Sequence, residues 1–358
     1  MNVVVAGGGT AGHVNPALAV AEELGDAVVT FVGTERGAET TLVPKAGGTL
    51  EFVDVVGFDR SQPWKLPATV VRALRATKGS IALLRKLEPD VVLGMGGYVS
   101  LPVGLAATRL RIPLVLHEQN IVLGLANRLL RRRARILGVS FEETLTQAGP
   151  RGRYVGLPVP RRLSGCDWDA ERLRGLESFG LDPGRKTLLI FGGSLGAQSL
   201  NAAASGLAEL WSERRDRQVV HISGSRHEPQ TIEAGDLIFR SVGFVERMEE
   251  AYAVADLVVA RGGANTVAEL AIAGRGSIIV PYPHHRDRQQ ERHGRVMERA
   301  GAAMVMEDAA VTPRSIAQAA DEMLSSDARL RDMGAAARTL ARPDAAREMA
   351  KLVREAAS

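Results

Sequence analysis

Twice along this chain an apolar run turns sharply on glycines and enters a helical period. Val3-Val4-Val5-Ala6 leads into GGGTAG (7–12), and Leu188–Phe191 leads into GGSLGA (192–197). Strand, glycine turn and helix in that order open a parallel α/β sheet, because a parallel neighbour is reached only through a crossover. Further strand-like runs alternate with helical periods: Val28–Val32, Val91–Leu93, Leu114–Leu116 and Ile136–Val139 in the first half. Val219–Ile222, Ile238–Ser241, Leu257–Val259 and Ser277–Val280 do the same in the second. Continuous apolar strands predict sheets covered on both faces. At 358 residues the chain exceeds one usual core. It reads as α/β, two Rossmann-like domains with parallel sheets facing across a cleft. The break falls near VGLPVPRRLSG (155–165), where prolines and glycines interrupt the pattern, giving domains 1–157 and 158–340. The tail 341–358 has a helical stripe of Ala346, Met349, Leu352 and Val353, which suits either domain.

The single cysteine, Cys166, excludes an internal disulfide and fits a reducing compartment. No signal peptide is expected before Val3, and no apolar run approaches the ~18–20 residues of a membrane span. A cytoplasmic or membrane-peripheral protein is expected. The net charge of +4 is unevenly placed: between Arg60 and Arg135 stand 14 Lys or Arg against Glu88, Asp90 and Glu118. Such an excess points to an anionic surface. The segment 63–87 adds Trp64, Leu66, Val70 and Leu74 to Arg72, Arg75 and other basic residues without one acid. That is the pattern of a helix lying in a lipid interface, extended by Arg131-Arg132-Arg133, although core packing also explains an apolar stripe. Aromatic residues are only 4 % of the chain, which argues against a nucleic-acid surface.

Gly7-x-Gly9-x-x-Gly12 has the spacing of a dinucleotide fingerprint. A dehydrogenase needs an acid at the end of the second strand, but Gly33 and Thr34 stand there and Glu35 comes late. Asn15 before Pro16 predicts a helix start. His13 beside the turn is either a packed histidine or a proton acceptor near neutral pH. In the second turn, Gly192-x-Ser194-x-Gly196 has the spacing of a nucleophile elbow, with Asp256 or Asp287 and His284 or His293 as partners. The same glycines also let backbone amides surround a diphosphate, with the Ser194 hydroxyl as a further donor. In ARGGANTVAELAIAG (260–274), Thr266-x-x-Glu269 reads as a capping box; alternatively Glu269 accepts two ribose hydroxyls. PYPHHRDRQQERHGR (281–295) clusters His284, His285, Asp287 and His293 without metal-ligand spacing, and Gln289 and Gln290 suit sugar hydroxyls. Tyr98 and Ser100 after one strand, and His117, Glu118, Gln119 and Asn120 after another, place polar groups at strand ends, where ligands bind.

Taken together, GGGTAGHVNPALAVAEEL, DVVLGMGGYVS, PLVLHEQN, GGSLGAQSLN, GGANTVAEL and DRQQ closely resemble the bacterial peptidoglycan N-acetylglucosaminyltransferases of glycosyltransferase family 28. The resemblance spans almost the whole chain and implies the GT-B fold. It further implies inverting transfer of GlcNAc from UDP-GlcNAc to the MurNAc C4 hydroxyl of undecaprenyl-pyrophosphoryl-MurNAc-pentapeptide (lipid I), giving lipid II. The implied setting is peripheral, on the cytoplasmic side of the cell membrane, with no cofactor or metal. Another sugar-nucleotide enzyme of this architecture, such as a UDP-GlcNAc epimerase, is the alternative, beside a hydrolase using Ser194. By motif, Thr10, Ala11 and Gly12 line the donor-sugar and acceptor side, and Asn120 touches GlcNAc. Ser194 contacts the diphosphate, Val245 meets uracil, and Ala264, Asn265, Thr266, Val267, Ala268 and Glu269 hold nucleotide and ribose. Gln289 and Gln290 take the sugar hydroxyls. His13 is the first candidate for the base, with Glu118 or His117 in reserve. At the link the family has Gly-Asn-Pro-Val-Arg; here GLPVPRR leaves Arg161 or Arg162 to face the phosphate, and Leu195 replaces a common glutamine. The family's terminal helix returns to the first domain.

Overall fold

The computed structural model describes residues 1–55, 66–232, 235–284 and 287–358, with the backbone alone for 66–71. The chain divides into two compact units, Met1–Pro160 with Arg342–Ser358, and Arg161–Ala341. The first division lies beyond the expected break at 157, since Leu157 and Val159 are still buried.

The first unit is a seven-stranded parallel sheet. Its strands are β1 (Asn2–Ala6), β2 (Val28–Gly33), β3 (Thr49–Phe52), β4 (Val91–Gly94), β5 (Leu114–Glu118), β6 (Ile136–Val139) and β7 (Gly152–Tyr154). They are ordered β3-β2-β1-β4-β5-β6-β7, so the direction of winding reverses between β1 and β4. The pleat sends alternate residues to opposite faces. Val3, Val5, Val91 and Leu93 pack with Val14, Val20 and Leu24 of the helix Ala11–Leu24. Val4, Ala6, Val92 and Leu116 pack on the other face with Leu84, Val103 and Leu130. Each such buried valine or leucine contributes about 1.5–3 kcal/mol. The last helix, Ala345–Ala357, inserts Met349, Ala350 and Val353 into the first of these cores. Arg354 Nη2 donates to Leu24 O at 2.9 Å, and Arg135 Nη1 donates to Ala356 O at 2.7 Å, which anchors it.

The second unit is a six-stranded parallel sheet of β8 (Lys186–Phe191), β9 (Arg217–Ile222), β10 (Ile238–Val242), β11 (Leu257–Ala260), β12 (Ser277–Ile279) and β13 (Ala303–Val305). Its order, β10-β9-β8-β11-β12-β13, reverses between β8 and β11. One face holds Leu188, Ile190, Val219, Leu257 and Val259 against Leu200, Ala204, Leu207, Ile316 and Met323. Ligands of open parallel sheets bind beyond the carboxyl ends of the strands flanking such a reversal. Each unit therefore has one such place for a ligand.

The first helix begins earlier than the sequence suggested. Thr10 is its N-cap, and Pro16 lies inside rather than at the first position. Proline has no N–H for the carbonyl four residues back, so the Gly12 carbonyl keeps no such partner. Among the described residues no helix is long and apolar enough to cross a membrane.

Candidate active site

In the first unit the turn after β1 and the turn after β4 touch. A Cβ on Gly9 (φ +94°) would stand 3.0 Å from Tyr98 Cε1, and one on Gly97 (φ +75°) 3.0 Å from Gly8 O. Both positions need glycine's freedom at positive φ. His13, half-buried in the first turn of its helix, lies over Gly96, whose added Cβ would come within 3.2 Å of the ring. Its Nδ1 is 3.1 Å from the Thr10 hydroxyl. Burial lowers the His13 pKa, and the charge of Glu39 partly offsets this. The imidazole is thus neutral near pH 7, as a proton acceptor must be. Ala11 and Gly12 open the helix beside it, and Tyr98 reaches Thr34 Oγ1 through its hydroxyl at 3.3 Å.

The two reserve candidates for the base are walled in. Glu118 is 3 % exposed and accepts from Gly124 N (2.8 Å), Asn127 Nδ2 (2.9 Å), Asn120 N (3.0 Å) and Asn120 Nδ2 (3.3 Å). Burial raises its pKa while these donors oppose the rise. With both oxygens engaged, Glu118 shapes the loop that carries Asn120. His117 is fully buried, its Nε2 at 3.2 Å from both Gly156 O and Ser140 Oγ, and burial pushes its pKa down to about 4. It is a neutral internal link from β5 to Gly156, and a correction to its reading as a base.

In the second unit the turns after β8 and β9 cross backbone on backbone. A Cβ on Gly196 (φ +83°) would lie 2.1 Å from Ser223 O, and one on Gly224 (φ +92°) 2.1 Å from Gly196 N. Asn201 Nδ2 donates to Ser223 O at 3.0 Å, and buried His221 holds Asn201 Oδ1 at 3.1 Å. The helix Gln198–Leu210 that follows has no side-chain cap, so its first amides are open to an anion. Ser194 is exposed at the tip of the turn. No histidine among the described residues hydrogen-bonds its hydroxyl: His221 serves Asn201 and Ser241, and His293 Nδ1 lies 2.9 Å from Gly262 O. Asp256 accepts from Thr187 N at the amino end of the central strands, the end opposite the turn. The hydrolase triad is not assembled.

After β11 the helix Ala264–Ala273 starts from Gly263, also without a side-chain cap. Thr266 is its third residue, so Thr266 and Glu269 form no capping box. The Tyr252 hydroxyl instead donates to Glu269 Oε2 at 2.7 Å, and burial lifts the Glu269 pKa to about 7. Asn265, Thr266 and Ala268 are half-buried along the same helix; Ala264 and Val267 are buried. Val245 is half-buried beside Phe244, which is 59 % exposed. A Cβ on Gly262 would stand 2.3 Å from Gln290 O, bringing the helix Gln289–Arg299 against this turn. Gln290 Oε1 accepts from Tyr282 N, and Gln289 Nε2 donates to Asp287. Arg162 pairs with Glu249 at 3.5 Å. No group of three or more His, Cys, Asp or Glu placed for a metal occurs among the described residues, and His285 lies outside them.

The sequence reading passed over Glu39, Thr34, Asn127, Asn201, His221 and Tyr252. The signal for Glu39 is the set of three glycines that wall it, Gly8, Gly33 and Gly37.

Two Rossmann-type units, each with a glycine turn and an uncapped helix start at its reversal, have the architecture of GT-B sugar-nucleotide enzymes. The family models for the glycosyltransferase family 28 N-terminal and C-terminal domains match residues 3–138 and 187–349, and the chain belongs to that family. A relative from Nocardioides sp., named UDP-N-acetylglucosamine--N-acetylmuramyl-(pentapeptide) pyrophosphoryl-undecaprenol N-acetylglucosamine transferase, is 40 % identical over 99 % of this chain and 98 % of its own. One of the same name from Corynebacterium efficiens is 42 % identical over 100 % and 98 %. Among solved structures, MurG of Acinetobacter baumannii is similar with TM-score 0.77 and 29 % identity over 99 % of both chains. A UDP-GlcNAc 2-epimerase from Neisseria meningitidis, 12 % identical over 99 % of both chains with TM-score 0.65, shares the fold alone.

Proposed function

We infer that this chain moves GlcNAc from UDP-GlcNAc to the MurNAc C4 hydroxyl of lipid I, giving lipid II with inversion at the anomeric carbon. One observation carries the reading: relatives named for this transfer match essentially the whole chain, both units included. In the second unit, charge growing on the departing UDP meets the open amides of the helices that begin at Gln198 and Ala264. Such preorganised dipoles need no rearrangement as the bond breaks. The exposed Ser194 hydroxyl adds a donor, and Arg161 or Arg162 a positive charge. Glu269, oriented by Tyr252, takes the ribose hydroxyls; Val245 takes uracil through its backbone; Gln289 and Gln290 hold the sugar. In the first unit, His13 removes the proton from the attacking hydroxyl, with Thr10, Ala11, Gly12, Tyr98 and Asn120 lining the approach.

The membrane reading rests on the helix Leu66–Leu87, where Arg72, Leu74 and Arg75 are exposed. Trp64 lies outside the described residues, as do the side chains of Leu66 and Val70. A second exposed set on the same unit, Leu125 and Leu129 with Arg128, Arg132 and Arg133, has the same mixed character. Both suit the cytoplasmic face of an anionic membrane that carries the lipid-linked acceptor.

The test is transfer itself. Purified protein, radiolabelled UDP-GlcNAc and a lipid I analogue, without divalent metal, should yield labelled lipid. Conversion of the sugar nucleotide without acceptor would instead indicate an epimerase.

A further inference from the structure

Glu39 is 1 % exposed at the start of the helix Glu39–Lys45, and no step above uses it. Its Oε2 accepts from Gly9 N at 2.8 Å; its Oε1 accepts from Thr34 N at 2.8 Å and from Thr34 Oγ1 at 3.0 Å. Glycines wall it in. A Cβ on Gly8 would lie 2.4 Å from Glu39 Oε1, one on Gly33 2.4 Å from its Cγ, and one on Gly37 2.0 Å from Oε2. None of these three is held at positive φ, so what they lack is room, not backbone freedom. Gly9 is the middle glycine of the fingerprint spacing, whose backbone elsewhere approaches a bound pyrophosphate. Here its amide is claimed by the chain's own carboxylate.

The contact extends to the catalytic face. The hydroxyl of Thr34, bonded to Glu39, reaches Tyr98 OH at 3.3 Å, and the Tyr98 ring lies against Gly9. The carbonyl of Gly9 accepts from Ala38 N at 3.4 Å, which ties the loop to the Glu39 helix from its other side. The loop is thus held by Glu39 directly and by Glu39 through Thr34 and Tyr98, and it ends at Thr10 and His13. His13 is faced by the Thr10 hydroxyl on its own helix, by Glu39 and by His117 of β5, with the Tyr98 loop beneath.

We propose that Glu39 is a built-in anion standing in for a bound phosphate, a positioning residue that fixes the glycine loop and presents His13 for proton abstraction. The proposal rests on the reading of His13 as the base. A neutral residue of the same shape should disturb it, because an amide cannot accept from three N–H and O–H donors with both of its ends.

The experiment uses the full-length protein and E39Q, with the His13 imidazole followed by NMR and transfer kinetics measured in parallel. With the negative charge gone, the His13 pKa should fall further and the acid limb of kcat/KM should move to lower pH. Misplacing the base should lower kcat by about 10- to 100-fold while the KM for UDP-GlcNAc stays unchanged. Because removing a buried carboxylate can unfold a protein, G8A attacks the same contact from its other wall. It retains the charge, displaces the carboxylate and should lower kcat likewise. Wild-type kcat and an unmoved His13 titration in folded E39Q would overturn the proposal. H13A separates the two readings: if it kept full kcat, the base assignment would fail, and the NMR shift in E39Q alone would then judge what Glu39 does to His13.

Discussion

The turn after β1 and the turn after β8 leave the central strand of similar sheets and enter a helix in the same way, yet they are completed differently. In the first unit the loop closes around a side chain: the Gly9 amide goes to Glu39, and glycines make room for that carboxylate. In the second the loop closes on another loop, Gly196 against Ser223 and Gly224, and no carboxylate enters it among the hydrogen bonds of the described residues. Both helix starts are uncapped. An anion arriving at the first loop meets a fixed negative charge; at the second it meets open amides and a serine hydroxyl. In the function proposed above, the same strand-turn-helix unit serves as a base-presenting loop in one place and a diphosphate-binding loop in the other.

The most drastic way to break this comparison is to add a methyl group where the second unit's loops cross. Gly224→Ala places Cβ 2.1 Å from backbone at a positive φ. Overpacking and strain together should cost about 2–6 kcal/mol and abolish UDP-GlcNAc binding, read by calorimetry and thermal melts. His13→Ala should lower kcat by about 10²- to 10⁴-fold with donor affinity retained. Glu269→Ala acts on the other half of the comparison: it should raise the KM for UDP-GlcNAc about tenfold or more, the worth of charge-assisted hydrogen bonds.

Smaller effects sharpen the picture. Glu269 titrates near 7 because burial disfavours its charge, so donor binding should weaken as pH falls through about 7. Tyr252→Phe removes a donor that stabilises the carboxylate, which should move that transition to higher pH and cost about 1 kcal/mol of donor affinity. A binding curve flat across this range would remove Glu269 from the ribose site. Last, Leu74→Ser combined with Arg72→Ser and Arg75→Ser should reduce co-sedimentation with anionic vesicles, by about 1 kcal/mol per arginine. Undiminished binding would clear this helix of a membrane role.

What could be read from the residues depended on how each element is buried. The central strands, apolar on both faces, stood out, and Ile136–Val139 is a strand over the residues expected. The strands Thr49–Phe52, Gly152–Tyr154 and Ala303–Val305 did not: they are edge strands of only three or four residues with half-exposed or polar side chains, whereas the five-residue edge strand Ile238–Val242 was legible. The site divides similarly. Glycine turns and HEQN announce themselves locally, whereas the partners that fix them are distant in sequence: Glu39 from Gly9, Tyr252 from Glu269, His221 from Asn201. Asn15 before Pro16 suggests a helix start because proline favours the first turn; the helix starts at Ala11 instead, directly after the glycine loop. The Thr266–Glu269 spacing suggests a cap for the same local reason, but the helix starts from Gly263, three residues before Thr266, and Glu269 accepts from the distant Tyr252 instead.

The division of labour between the loops is tested most directly by locating the donor. In crystals soaked with UDP-GlcNAc, the diphosphate should lie against residues 192–197 and 263–266, with none at residues 7–12. Nucleotide density on the first loop, with Glu39 displaced, would contradict the account.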